Sequence, residues 1–158
     1  MYGITLWLHS LLRWALLLVL LFQIGQTFTG WFQKKEWTPL HKRGNLLVLI
    51  FSHLQLVLGL ALYFGLSPLG SSSFKSGMKV VMKNRLLRFW AVEHITLMLL
   101  ALVFVQVGFS ISKRKEDSLT KHKTSAIWFT VALIAIFLAI PWPFLSTGMG
   151  RPWLRIMP

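Results

Sequence analysis

The sequence predicts an all-α fold: a membrane-spanning four-helix bundle with a short interfacial amphipathic segment between helices two and three. Three observations predict it. Four long apolar runs divide the chain, its composition is too apolar for a small soluble domain, and its basic residues collect between the runs. Of 158 residues, 55% are hydrophobic and 13% charged, and the mean hydropathy is +0.63. A soluble domain of this size keeps much of its surface in water and cannot bury so much apolar side chain. Lipid solvates that surface instead.

A helix needs about 20 apolar residues to cross a bilayer core. Four runs meet that length, over about Ile4–Phe28, Leu46–Leu66, Leu87–Ile111 and Ser125–Leu145. None alternates as a strand does. In lipid only helices or closed barrels satisfy the backbone, and these runs are too long for barrel strands. Residues 1–158 therefore read as a single transmembrane domain.

The connections are polar. The first begins at Trp31–Trp37, where Pro39 is expected to prevent an early helix restart. The second opens on the turn-rich Ser67-Pro68-Leu69-Gly70-Ser71-Ser72-Ser73. Beyond it, Lys75, Lys79 and Lys83 recur every four residues from Phe74 to Arg88, with Phe74, Met78, Val81 and Met82 mostly opposite. That pattern predicts a short helix in the headgroup plane, set against an ordinary basic loop. The third connection is Ser112–Asp117. Pro141-Trp142-Pro143 ends the fourth helix by removing backbone donors. Trp7, Trp31, Trp37, Trp90, Trp142 and Trp153 lie near predicted helix ends, where indole favours the interface.

Seventeen Lys and Arg against four Asp and Glu give a net charge of +13. These bases lie between apolar runs and match anionic lipid headgroups rather than nucleic acid, since no soluble basic domain carries them. The first run holds His9 and Arg13, is long enough to span and lacks a small-residue cleavage site, so no cleavable signal peptide is expected. Both termini fall on one side. Seven bases lie there (Lys75, Lys79, Lys83, Arg85, Arg88, Arg151, Arg155) against nine opposite (Lys34, Lys35, Lys42, Arg43, Lys113, Arg114, Lys115, Lys121, Lys123). The positive-inside rule then puts the termini outside.

Cysteine is absent, which excludes disulfides, zinc–thiolate sites, iron–sulfur clusters and c-type haem attachment, but not b-type haem. An ionisable group inside a bilayer is costly and marks a candidate site. Five fall within the predicted spans: His9 and Arg13 in the first, His53 in the second, Glu93 and His94 in the third. At about 1.5 Å per residue, His9 and His94 both lie about 7–10 Å below the terminal-side surface. His53 enters from the other side and sits near the middle, about 10 Å from their level.

Two histidines from different helices at matched depth are what a bis-imidazole haem b requires, one nitrogen on each face of the porphyrin. The residues alone also allow a plainer reading, in which they are helix–helix hydrogen-bonding groups. With haem, Arg13 and Arg88 are candidates for its two propionates through bidentate hydrogen bonds. Arg13 could instead pair with Glu93, as the site's counter-charge or as a structural salt bridge. His53, beside Ser52 and Gln55, is either a further cofactor contact or a packing residue. A second haem would need a partner at its depth, so one haem is expected. Met98 follows His94 by one turn on the same helix and cannot take the opposite axial position. His41 and His122 sit at loop edges and read as solvated. Gly59 and Gly65 could let a flat macrocycle approach the backbone.

At these residues the chain resembles a family of small bacterial four-helix membrane proteins commonly labelled cytochrome b. The matching segments are His9-Ser10-Leu11-Leu12-Arg13-Trp14, Ser52-His53-Leu54-Gln55-Leu56-Val57-Leu58-Gly59 with Tyr63-Phe64, and Met82-Lys83-Asn84. Arg88-Phe89, Val92-Glu93-His94-Ile95-Thr96 and Ile140-Pro141-Trp142-Pro143 continue the match, which covers nearly the whole chain. The resemblance implies haem b and electron transfer in a bacterial inner membrane. More broadly the layout is similar to the cytochrome b subunits of membrane dehydrogenases and hydrogenases, which carry two haems. This chain departs from them in lacking an obvious second matched pair.

Two functions follow as expectations. One is an integral-membrane b-type haem protein passing electrons between a quinone/quinol pool and a partner. The other is a non-catalytic accessory subunit of a larger membrane complex, its polar residues serving helix packing. A proton path is a weaker third, because the groups cluster on one side. No nucleophile–base–orienter set for a stand-alone enzyme can be assembled.

Overall fold

The computed structural model describes residues 1–144 and 150–153. The expectations for Leu145, as a helix end, and for Arg155, as a terminal-side base, lie outside the described residues. Most of the described chain is helical, and four of its helices are long and apolar enough to cross a membrane.

Helix α1 spans Tyr2–Phe32 and α2 spans Pro39–Ala61. Pro39 opens α2 rather than delaying it. It occupies the first helical turn, where a missing N–H costs nothing, and Thr38 stands at the N-cap. The Thr38 amide donates to His41 Nδ1 at 3.1 Å, so the polar stretch from His41 to Arg43 is already helical. After Ala61 the backbone widens into a π turn, Leu62–Leu66.

The basic segment that follows is broken rather than one continuous surface helix. A 3₁₀ turn covers Ser71–Ser76, α3 covers Met78–Lys83 and α4 covers Arg85–Arg88. Gly77 separates the first two at φ 95°, a conformation open to glycine. Asn84 separates the next two, its side chain accepting from the amides of Leu86 and Leu87. Val81 alone among the four apolar residues of the predicted stripe is fully buried, while Met78 and Met82 face outward.

A second π turn, Phe89–Glu93, leads into α5, His94–Arg114, and α6 spans Ser118–Ala139. The last helix starts seven residues earlier than its apolar run, because Asp117 caps it by accepting from the Thr120 amide at 2.7 Å. It ends at Ala139, just before Pro141. Its inward face presents Ala126, Ala132, Ala135 and Ala139 around Phe129. Small residues at that face let the backbones of α1 and α5 approach closely, the usual basis of helix packing in lipid. On the outside, Leu18, Val57 and Leu138 are 68%, 63% and 66% exposed. A bilayer would cover that surface.

In the half of the bundle away from the termini, one hydrogen-bond node joins all four long helices. Gln23 Nε2 of α1 donates to Asn45 Oδ1 of α2 at 2.7 Å and to the His41 carbonyl at 3.0 Å. Asn45 Nδ2 donates to Ser112 Oγ of α5 at 3.0 Å and to Ser125 Oγ of α6 at 2.8 Å. All four side chains are buried. Gly44 makes the node possible: a Cβ there would overlap the Gln23 amide.

Asn45→Ala should therefore lower stability by roughly 1–3 kcal/mol, because it strands several buried partners at once. Gln106→Ala, which removes one exposed hydrogen bond within α5, should change it by less than about 0.5 kcal/mol. Thermal melts of both variants in the same detergent check the contrast. At Asp117, the bond from Thr120 holds the carboxyl below its ordinary range. Its contribution is complete above the unfolded-state value and is lost as pH falls through the lowered native one. Asp117→Ala should thus lower the melting temperature at neutral pH, with the gap to wild type closing in acid.

Candidate functional site

The terminal-side half of the bundle contains a cleft of about 900 Å³, including its open mouth. Helix α1 supplies His9, Ser10 and Arg13 to its wall, and α2 with its π turn supplies Gln55, Gly59, Leu62 and Tyr63. Trp90 and His94 face them from the other π turn and the start of α5. A second lobe of about 610 Å³ runs deeper and shares His9, Gln55, Gly59, Tyr63, His94 and Met98. Apart from Ser52 the rest of its lining is apolar, with Ile95, Ala101, Leu102, Val105 and Ile136 among it.

Both π turns border this cleft, and such widened turns recur at functional sites. They are tied together by the Tyr63 hydroxyl, which donates to the Ala91 carbonyl at 2.9 Å. His94, the residue following the second turn, donates from Nδ1 to the Ala139 carbonyl at 2.8 Å. That bond fixes the tautomer and leaves Nε2 as the ring's lone-pair nitrogen. His9 is held differently. The Gln55 amide donates to the His9 carbonyl at 3.0 Å and lies 3.2 Å from its Nε2. His9 Nδ1 is buried without a partner, as are Gln55 Oε1, Trp90 Nε1 and Arg13 Nε. Gly59 gives the His9 ring its room, since a Cβ there would stand 3.3 Å from its Cε1.

The sequence-predicted residues divide around this cleft. His9, Arg13 and His94 line it. His53 does not: it is exposed on the outer face of α2, with Nδ1 bonded to the Leu49 carbonyl of its own helix at 2.9 Å. Gly65 has open space around it, whereas Gly59 stands in the cleft wall. The expected Arg13–Glu93 pair is replaced by an Arg88–Glu93 pair, with Arg88 Nε 2.6 Å from Glu93 Oε1. Arg88 also donates to the Met82 carbonyl at 3.2 Å, so it is occupied. Arg13 instead donates to the Trp153 carbonyl at 3.2 Å and to Ser10 Oγ at 3.4 Å.

Sequence reasoning missed Gln55, Trp90 and Arg151 as cleft residues. A glutamine and an arginine beside apolar runs were visible signals, but only packing showed which way they face. It also misread His41 and His122 as solvated. Both are buried, with ring centroids 4.6 Å apart and at right angles. Trp37 packs edge-on against His122 at 4.8 Å, and neither His122 nitrogen has a partner. Among the described residues, no three His, Cys, Asp or Glu side chains form a metal-holding group. Comparisons with protein-family models, curated proteins and solved structures give no match.

A Cβ at Gly30 would overlap the His122 ring, and the ring is confined by Trp37 and His41. Gly30→Ala should therefore destabilise by roughly 1–3 kcal/mol through overpacking. Gly30→Ala with His122→Ala should recover most of that loss, a coupling that a double-mutant cycle of melts measures.

Proposed function

We propose that this chain is a multi-pass membrane protein that holds one haem b in the terminal-side cleft and carries electrons. The observation that supports this best is the shared cleft of His9 and His94. His94 has its Nδ1 tied to a backbone carbonyl and its Nε2 free, the orientation that metal-ligating histidines adopt through their outer hydrogen bond. His9 adds a second imidazole with an unpartnered ring nitrogen, and Gly59 keeps its surroundings open.

These residues fit the group. His94 and His9 would hold the haem iron, with Gln55 yielding the His9 ring nitrogen it now faces. When bound, haem b supplies a one-electron couple. The chain supplies the rest. The mostly apolar lower lobe limits water, the Ala139 carbonyl orients the His94 ring, and Arg13 offers positive charge in the cleft wall. His53 and the Arg88–Glu93 pair stand apart from this arrangement.

A quinol pool within the bilayer is the electron source that suits a cleft open at the membrane edge, and a partner membrane subunit is the outlet. In this reading the termini lie outside a bacterial inner membrane whose anionic headgroups neutralise the loops, and a small excess of bases in the loops opposite the termini supports that orientation.

A reduced-minus-oxidised spectrum of protein purified from haem-replete cells should show a b-type α-band with about one haem per chain. His9→Ala and His94→Ala should each abolish low-spin ligation, while His53→Ala should leave the spectrum intact. Haem-free wild-type protein would remove the proposal. Retention of the spectrum in the His94→Ala variant would do the same to the ligand assignment.

A further inference from the structure

We infer that Arg151 and Arg13 form a two-arginine clamp for the carboxylates of the cleft's occupant, with the segment Gly150–Trp153 laid over the mouth to bring Arg151 there. This deepens the haem reading and rests on it. It gives the propionate-binding role to Arg151 rather than to Arg88.

Charge accounting drives the inference. The chain has four side-chain carboxylates, Glu36, Glu93, Glu116 and Asp117. Glu93 is taken by Arg88. Glu36 accepts from Ser118 Oγ at 2.9 Å at the far end of the bundle. Glu116 and Asp117 lie in that same far-end region, between α5 and α6. No side-chain carboxylate is left for Arg13 or Arg151, yet both line the cleft. A cation inside a membrane normally faces an anion or polar partners. Among the described residues the cleft wall carries two arginines and no acid, so an occupant with carboxylates would supply their charge partner.

The geometry is built for it. The Arg151 amide donates to the Pro141 carbonyl at 2.9 Å, and its guanidinium lies over the Trp90 ring at 4.9 Å. The Trp153 carbonyl receives both Arg13 Nη2 and, at 2.7 Å, Trp14 Nε1. The Trp153 ring packs on Trp14 and Trp142 at 6.0 and 5.5 Å. The segment is thereby anchored at Arg151 itself and at Trp153. Among the described residues, Arg13 Nε and Trp90 Nε1 remain buried donors without acceptors. Arginine is suited to this because its planar fork matches a carboxylate bidentately.

The test uses full-length protein in neutral-lipid nanodiscs, with three probes: haem b, haem dimethyl ester and metal-free protoporphyrin IX. Circular dichroism melts first establish that each variant folds, and Arg13→Lys replaces Arg13→Gln if the latter does not. Arg13→Gln and Arg151→Gln should each weaken haem and protoporphyrin binding roughly 10-fold, the effect of one charged hydrogen bond. The dimethyl ester should bind wild type roughly 100-fold more weakly than haem and ignore both substitutions. Lys79→Gln, an equal charge change on α3, should alter nothing.

Equal binding of ester and diacid, or an unchanged Arg151→Gln variant, overturns the clamp and leaves the haem reading standing. Uptake of protoporphyrin with the expected losses, but no haem ligation, keeps the clamp and removes the haem reading. A wild type that binds neither porphyrin removes both. Co-purified anionic phospholipid that is lost in Arg151→Gln, with porphyrin binding unaffected, overturns the clamp in favour of a lipid phosphate.

Discussion

In a bilayer, helices gain little by hiding apolar faces from one another, because lipid tails are as apolar as leucine. Something directional must set how they meet. Here it is the amide of Asn45, which contacts Gln23, Ser112 and Ser125 and so touches every other long helix. Its three partnered directions fix both rotation and axial register. Gln23 lies 14 residues beyond His9 on α1, about 21 Å along the axis, and Asn45 lies 14 residues before Gly59 on α2. One node therefore aligns His9 with Gly59 and Gln55 at the other end of the bundle. The node's need for Gly44, where any side chain would displace Gln23, carries the same constraint into the backbone.

The two halves of the molecule treat polar groups differently. At the node, the donors have acceptors and the helices run regularly. At the cleft, both neighbouring backbones widen into π turns, and His9, Gln55, Trp90 and Arg13 each keep an unpartnered buried atom. An unmade hydrogen bond in a buried site costs about 1–3 kcal/mol, so several together mark a place shaped for something other than its own packing. His122 shows the contrast. It too lacks partners, but Gly30, Trp37 and His41 pack directly around its ring and leave no comparable space.

Much was legible in the sequence, and the limits have physical causes. Hydropathy over a window of about 20 residues is a local quantity, and it located the four spans. Caps are local as well, yet Asp117 and Thr38 were passed over in favour of apolar content, so α6 and α2 were begun too late. The Glu93 partner failed for another reason. Residues 88 and 93 are five apart, which on a regular α-helix separates them by about 140° around the axis. The π turn at Phe89–Glu93 winds the chain so that they meet, and no periodicity argument that assumes 3.6 residues per turn finds that pair.

What the sequence determined by itself was the class and the number of apolar helices long enough to span, because length, apolarity and rise per residue need no partner to be known. What only the tertiary structure decided was facing. It turned His53 outward and His41 and His122 inward, gave Glu93 to Arg88, and drew Arg151 across more than 130 residues to stand near Arg13. Facing depends on helix rotation, which contacts between distant segments set. A single chain of letters records those contacts only through the fold they produce.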